Sequence, residues 1–372
     1  MIALHFSEYS FYLAQALSDD NEVLLCINER NLKNEISLAT LARKTPRCRI
    51  VRLPDVWLRK PRLFLGGIRA LTEEIQGFNP DVIHCQEAVR DYLLPALYVL
   101  RRHPLILTIH DHVAHSGMDA QASIRVKFYR WWLRQRATRV IVHGTWIKSE
   151  CERIFPWLKG RISAIPHGLL GTPDKPPTPR WNNGTLLFFG RIQEYKGLRY
   201  LIEATHLLEG EGIISKVIIA GTGQDLTKYR DIVSSHAIYE LIERYIEIEE
   251  IPTIFNQSDI VVLPYTDGTQ SGVAALAINY RRPIIASDVG SIGEMVRNGF
   301  NGLLVPKRDA DALANAIKTL LKNHSLLQKM SDGAAWLATN ELSWKSIAKK
   351  TQAVYEIALQ TTSGASRFSQ DV

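Results

Sequence analysis

The chain has 372 residues, 46% apolar and 22% charged, with a formal net charge of +7. That length suits two domains better than one core, and the composition is that of an ordinary soluble globular protein. No apolar run reaches the roughly 20 residues of a spanning helix, no secretory signal is expected, and Cys26, Cys48, Cys85 and Cys151 form no CxxC pair, which argues against a disulfide framework or a zinc site and makes a cytoplasmic protein the default expectation.

The positive excess is confined to the first half. Residues 1–170 hold 24 Lys and Arg against 16 Asp and Glu, while residues 171–372 hold 21 against 22. Such an asymmetry serves solubility alone or a partner with phosphates: anionic lipid, a lipid-linked substrate or nucleic acid.

Short apolar runs alternate with amphipathic stretches, the pattern of βα units and parallel sheets. The spacing predicts strands at Ile2–His5, Glu22–Ile27, Arg49–Arg52, Val82–His84, Leu105–His110, Arg139–Val142 and Ile162–Ile165, with helices between them, among them Phe11–Leu17, Leu63–Gln76, Arg125–Arg136 and Thr145–Ile154. Residues 171–184 carry four prolines within Gly171–Arg180 and read as a linker. Beyond it, strands are predicted at Leu186–Phe189, Lys216–Ala220, Tyr245–Ile248, Ile260–Leu263, Pro283–Ala286 and Gly302–Val305, again alternating with helices. The domains are therefore 1–170 and 185–343, each doubly wound. A last helix spans 344–360, and a polar tail, 361–372, is expected to fray. Ligands of doubly wound sheets bind at the carboxyl ends of the strands, so two such sheets would share one cleft.

Three strand ends in the second half carry chemistry. Leu186–Phe189 runs into Gly190-Arg191, and Lys196-Gly197 opens the next helix; the glycines admit close backbone approach, and two cations stand beside a helix N-terminus. Arg suits bidentate contact with a diphosphate and Lys supplies a point charge. Gly221 and Gly223 form a second turn, for which an ordinary tight connection is the structural alternative. The third is Asp267-Gly268-Thr269-Gln270-Ser271-Gly272-Val273, where backbone N–H groups and Ser271 suit phosphate and Asp267 suits sugar hydroxyls, with simple helix capping as the alternative. In the first half, His110 and Asp111 close a strand and are a candidate catalytic or binding pair. With no third ligand at metal-binding spacing, no metal site is expected.

In this order the segments resemble the retaining family 4 glycosyltransferases of the GT-B fold, most closely from Ile162 to about Leu321. Ile165-Pro166-His167-Gly168 resembles the domain-junction turn, Phe189–Gly197 the G-R-x(4)-K-G phosphate motif, and Ala220–Gln224 the G-x-G-P turn. The stretch from Pro283 through Gly290 and Glu294 resembles the donor frame. The resemblance implies two Rossmann-like domains facing one cleft, a final helix crossing back to the first domain, and a nucleotide-diphosphate sugar as co-substrate with no cofactor or metal. It implies that Arg191 and Lys196 neutralise the leaving diphosphate and that His110 contacts the transferred sugar. Gly190, Gly221, Gly223, Asp267, Thr269, Gln270, Ser271, Gly272 and Val273 make up the donor site. The chain departs from the family at three places. Gly268 and Leu276 replace a pair of glutamates, as in a Gln-Ser-Gly subgroup, and the first loop, His5–Ser10, lacks glycine.

Ser123–Arg139 interleaves basic residues with Phe128, Tyr129, Trp131 and Trp132, as interfacial membrane helices do. Arg130, Trp131, Trp132 and Arg134 are the candidate acceptor or membrane side, and Trp57, Arg59, Lys60, Arg62, Phe64 and Arg69 could extend it. The alternative places the tryptophans in the core. The expected role is a hexosyltransferase of bacterial cell-surface polysaccharide or glycolipid assembly, attached peripherally to the inner face of the plasma membrane. Its partners are a nucleotide sugar and a glycan or lipid-linked acceptor, not nucleic acid. The rival reading is a degenerate GT-B subunit that activates a partner transferase.

Overall fold

The computed structural model describes residues 1–36, 41, 47–53, 61–87, 93–111, 124–171, 179, 181 and 184–368. Most of the expected linker, together with Trp57, Arg59, Lys60, His112 and Ser123, lies outside them. The chain divides into two compact units, Met1–Gly168 with Trp344–Val372, and Leu169–Ser343.

The first unit winds β1 (Ile2–Ala3), α1 (Ser7–Leu17), β2 (Val23–Asn28), α2 (Glu29–Glu35), β3 (Cys48–Leu53), α3 (Pro61–Phe78), β4 (Ile83–Gln86), α4 (Leu93–Val99), β5 (Leu105–Ile109), α5 (Ile124–Arg136), β6 (Arg139–Val142), α6 (Thr145–Ile154) and β7 (Ile162–Ala164). Among the described residues its sheet has seven parallel strands in the order β3-β2-β1-β4-β5-β6-β7. The order reverses between β1 and β4, the signature of a doubly wound sheet. Helices cover both faces, so the strands are apolar on both sides. On β2, Leu24 and Cys26 join one core cluster, and Val23, Leu25 and Ile27 join the other.

The second unit repeats the plan with β8 (Thr185–Phe189), α7 (Leu198–Leu207), β9 (Lys216–Ala220), α8 (Arg230–Ser235), β10 (Tyr239–Ile242), α9 (Ile251–Asn256), β11 (Ile260–Leu263), α10 (Gly272–Asn279), β12 (Ile284–Ser287), α11 (Ile292–Met295), β13 (Gly302–Val305), α12 (Ala310–Leu321) and α13 (His324–Thr339). Its described strands are parallel in the order β10-β9-β8-β11-β12-β13, with the reversal between β8 and β11. Leu187 faces one core layer, and Leu186 and Phe188 the other.

α14 (Trp344–Phe368) packs on α1 in the first unit, where Ile347, Ala348, Val354 and Ala358 join Phe11, Leu13 and Ala14. Tyr355 Oη lies 2.6 Å from His84 Nδ1, and His84 Nε2 lies 2.7 Å from Thr108 Oγ1. Gly168 lies flush on the Trp344 indole, where an added Cβ would stand 2.4 Å from the ring.

Three expectations are corrected. The strand placed at Tyr245–Ile248 is instead β10, in register with β9 from Tyr239 opposite Val217. β10 is an edge strand whose four residues are all half-buried, so its apolar signal is weak, whereas Tyr245 is exposed. Helix α2 was not expected because its sequence is polar and only Leu32 is buried; Asn28 starts it by accepting from Asn31 N at 3.1 Å. Residues 361–368, expected to fray, continue α14 to Phe368.

Arg134 also differs from expectation. It lies on the inner face of α5, both its side chain and that of Glu87 being 5% exposed, and its Nε and Nη2 donate to the two Glu87 carboxylate oxygens at 2.7 and 2.8 Å. The Phe155 ring stacks on the guanidinium at 4.5 Å. Removing one partner strands a buried charge, so Glu87→Ala is expected to cost about 3–5 kcal/mol, while Glu87→Leu combined with Arg134→Met restores most of the loss. Denaturant unfolding of the two variants checks this contrast.

Candidate functional site

At the carboxyl ends of β8, β9, β11 and β12, four connections pack backbone on backbone. Gly190 N donates to Ala220 O at 2.9 Å, and Ile192 N donates to Thr222 O at 3.0 Å. A Cβ at Gly221 (φ +140°) would fall 1.9 Å from Gly190 O, and one at Gly223 would fall 1.8 Å from Ile192 O. The loop after β11 joins the same lattice. Thr266 N donates to Tyr195 O at 2.8 Å, and a Cβ at Gly197 (φ +70°) would meet Pro264 O at 1.9 Å. Gly290 closes the set, because a Cβ there (φ +55°) would meet Gly268 O at 2.0 Å, and Ser291 N donates to Thr269 O at 2.9 Å. Gly290 belongs to the stretch whose sequence resembles the family's donor frame, and the close approach to Gly268 O is what requires a glycine there.

The side chains follow from this floor. Arg191 is exposed beside Gly190. Lys196 is half-buried, with Nζ 3.8 Å from the centroid of the Tyr265 ring and 5.2 Å from that of Tyr195. The two rings hold the ammonium by cation–π attraction and limit its travel. Ser271 Oγ accepts from Ala274 N at 3.2 Å and lies 3.3 Å from Tyr265 Oη, so this serine is the N-cap of α10. The cap leaves the Gly272 and Val273 N–H groups at the positive end of the helix dipole. The Val273 side chain packs 3.5 Å from the Cβ position of Gly190, which brings the start of α10 against the Gly190 turn. Thr269 is buried, Asp267 is exposed with Oδ1 accepting from Gly268 N at 2.8 Å, and Gln270 Oε1 is buried without a hydrogen-bond partner. Leu276 is a core residue on α10. Asn279, one turn on, donates to Leu170 O and Gly171 O at 2.8 and 2.9 Å. Together these residues offer N–H donors, cations and one unpartnered amide oxygen to an anionic, hydroxyl-bearing ligand.

In the first unit, His110 follows directly on β5, His143 directly on β6, and His167 three residues after β7. Adjacent strands thus bring together three rings that stand far apart along the chain. One nitrogen from each lies within 4.8 Å of the others. All three are buried. Burial, helped by the neighbouring imidazoles, holds His110 well below the usual histidine range, and burial takes His143 down to about 3 and His167 to about 4. Phe6 stacks on His110 with centroids 3.6 Å apart, and the Tyr9 ring lies 5.0–5.2 Å from all three. Phe6 occupies the glycine-free first loop and takes the left-handed conformation, φ 59°, that glycine would adopt without strain. The sequence reading had not singled out His143, although its sign is plain: a histidine immediately after an apolar strand, as at His110.

On α5, Ile124, Phe128 and Trp131 are exposed at helical spacing, with Arg125 and Lys127 exposed beside them and Arg130 half-exposed. Trp132 packs against the first core cluster.

Comparison with known proteins agrees with this geometry. Residues 183–323 match the family of glycosyl transferases group 1, and residues 7–169 match glycosyltransferase family 4. Glycogen synthase from Mycobacterium tuberculosis is 26% identical over 287 residues, covering 75% of this chain and 69% of that one. Sucrose-phosphate synthase from Thermosynechococcus elongatus aligns with a TM-score of 0.72 at 18% identity, over 97% of this chain and 98% of the other. Anabaena HepE, solved in complex with UDP-glucose, aligns with a TM-score of 0.66 at 15% identity, over 96% and 97%. The fold is GT-B, and the chain is a transferase enzyme. More narrowly, it is a glycosyltransferase of the family 4 type.

The glycine lattice has no room for a side chain. Gly223→Ala is expected to push the loops apart and destabilise the second unit by about 1–3 kcal/mol, whereas Gly210→Ala, with open space around it but φ +87°, disturbs only its own turn. Thermal unfolding of the two variants separates these outcomes.

Proposed function

We propose that this glycosyltransferase moves a sugar from a nucleoside-diphosphate donor to a hydroxyl acceptor with retention at the anomeric carbon. The observation that carries the reading is the backbone-laced floor at the switch point of the second sheet, with Arg191 and Lys196 beside the N-terminus of α10. A diphosphate suits that set of donors and charges. In the reaction, the acceptor oxygen bonds to the anomeric carbon as the bond from that carbon to the β-phosphate oxygen breaks. The acceptor proton passes to the leaving phosphate. Arg191, Lys196 and the helix N-terminus take up the charge that develops on the diphosphate. No side chain need act as nucleophile, and positioning supplies much of the rest. His110, buried and neutral, is assigned to hydrogen-bond the sugar, and Gln270 Oε1 to accept from a sugar hydroxyl. Asp267 and Thr269 line the same side, in place of the family's paired glutamates. HepE binds UDP and glucose, which makes UDP-glucose the first donor to try.

Arg191→Ala is expected to lower turnover roughly 10²–10³-fold. A panel of UDP-, GDP- and ADP-sugars, read by thermal stabilisation and by donor hydrolysis, identifies the donor. Undiminished turnover in Arg191→Ala overturns the diphosphate assignment.

The acceptor is assigned to a glycan or lipid-linked molecule at an anionic membrane surface, supported by the exposed row Ile124, Phe128 and Trp131 among cations on α5. No helix among the described residues is long and apolar enough to cross a membrane. An apolar row flanked by cations fits shallow insertion among headgroups. Replacing Phe128 and Trp131 together with Ser is expected to weaken co-sedimentation with phosphatidylglycerol vesicles roughly tenfold or more. Equal binding by the variant and the parent chain defeats the membrane assignment.

A further inference from the structure

We propose that Gln86 is a positioning residue for His110: it holds the ring in the tautomer whose Nδ1 lone pair accepts a hydrogen bond from a hydroxyl of the transferred sugar. The inference rests on the assignment of His110 to the sugar, and names the residue that sets the direction of that contact.

Register brings the two side chains together. In the parallel pair β4 and β5, Gln86 stands opposite Thr108. Side chains two apart share a face of a strand. His84 and Gln86 therefore share one face of β4, and Thr108 and His110 share one face of β5 and its extension. Two polar rungs with the same offset cross between them. His84 Nε2 lies 2.7 Å from Thr108 Oγ1, and His110 Nε2 donates to Gln86 Oε1 at 2.8 Å. Gln86 and His110 are both buried.

The second rung decides where the proton sits. An amide oxygen only accepts, so Nε2 carries the hydrogen, and a neutral imidazole keeps its one lone pair on Nδ1. Burial, helped by the imidazoles of His143, His167 and His84, keeps the ring neutral. Phe6 stacks on it with 16° between the planes, which restricts its rotation. Nδ1 is buried and has no hydrogen-bond partner. The adjacent His143 cannot supply one, because its Nδ1–H donates to Ile165 O at 3.2 Å and its Nε2 is a second unpartnered lone pair. A buried acceptor left unpaired is costly, and a sugar hydroxyl, which donates one hydrogen bond, relieves that cost.

The direction of this bond is a specificity device. A ring that accepts requires a hydroxyl that donates, so a fluorine or an ether at that carbon leaves Nδ1 unpaired. With the Gln86 amide reversed, Nδ1 would carry the proton, the ring would donate, and an ether oxygen there would still serve as partner.

The free full-length chain, isotopically labelled at its histidine nitrogens, is read by nuclear magnetic resonance, which separates lone-pair from protonated nitrogens. A His110→Asn variant assigns the signals. The expected result is a bare Nδ1 and a protonated Nε2 in the parent chain, which needs no variant to fold. Gln86→Leu removes the acceptor at similar size. It is expected to mix the tautomers and draw the two His110 signals together, while those of His84, held by Tyr355 and Thr108, stay in place. A second arm compares UDP-glucose with its monofluorinated analogues, one for each sugar hydroxyl. In the parent chain the fluorine that replaces the contacted hydroxyl lowers affinity about tenfold or more, and in Gln86→Leu that penalty shrinks severalfold. The inductive effect of fluorine is the same in both chains, so the difference isolates the hydrogen bond. A protonated Nδ1 in the parent, unchanged His110 signals in Gln86→Leu, or equal fluorine penalties in the two chains overturns the proposal. Because the spectrum is taken without donor, failure of UDP-glucose to bind counts against the choice of donor, and the spectrum still decides the role of Gln86.

Discussion

Parallel strands all end on one edge of their sheet, because each crossover helix carries the chain back to the opposite edge before the next strand begins. Backbone groups at that edge run out of ladder partners at the same place, and whatever residues follow the last paired position are gathered without any need for proximity in sequence. Both units obey this rule. In the second, the residues after β8, β9, β11 and β12 meet as a lattice of glycines. In the first, the residues after β5, β6 and β7 meet as three histidines. Each set depends on register: slipping one strand by a residue would turn its last side chain to the other face.

The two edges resolve the same crowding differently. Where connections must touch, side chains have to vanish, and Gly197, Gly221, Gly223 and Gly290 each stand within about 2 Å of a neighbouring carbonyl at the Cβ position. The gain is a surface of backbone donors that no side chain covers, beside two cations. Where the connections stand further apart, side chains fill the gap, and rings of Phe6, Tyr9 and the histidines pack against one another. Desolvation there removes charge from the imidazoles instead of stabilising it. The first edge therefore presents N–H donors and positive charge, and the second neutral rings.

Much of this was readable in the sequence because the signal was local. Apolar runs set the strands, and the boundaries of β6, β9, β11 and β13 fall where the runs begin and end. The glycines of the second unit's turns were readable because their spacing is itself the constraint. What escaped was non-local or weak. Edge strand β10 is half-buried throughout, so tertiary pairing, not pattern, fixes its position. The partner of Arg134 is 47 residues away. Spacing along the chain hid His143 and His167 from His110, since strand order, not spacing, sets neighbours in a parallel sheet.

Leu276 stands where the resemblance to the family would place a glutamate. A carboxylate at that position would have to leave the core, yet Leu276 packs there while Asn279, one turn on, clamps α10 to Leu170 and Gly171. The helix is thus anchored through apolar contact and amide hydrogen bonds, with no buried charge to satisfy. The polar side chains of this segment therefore lie in the turn before the helix. There Ser271 is committed to the cap and Thr269 is buried, which leaves the unpartnered Gln270 amide oxygen as the group whose hydrogen-bonding need a sugar hydroxyl would meet.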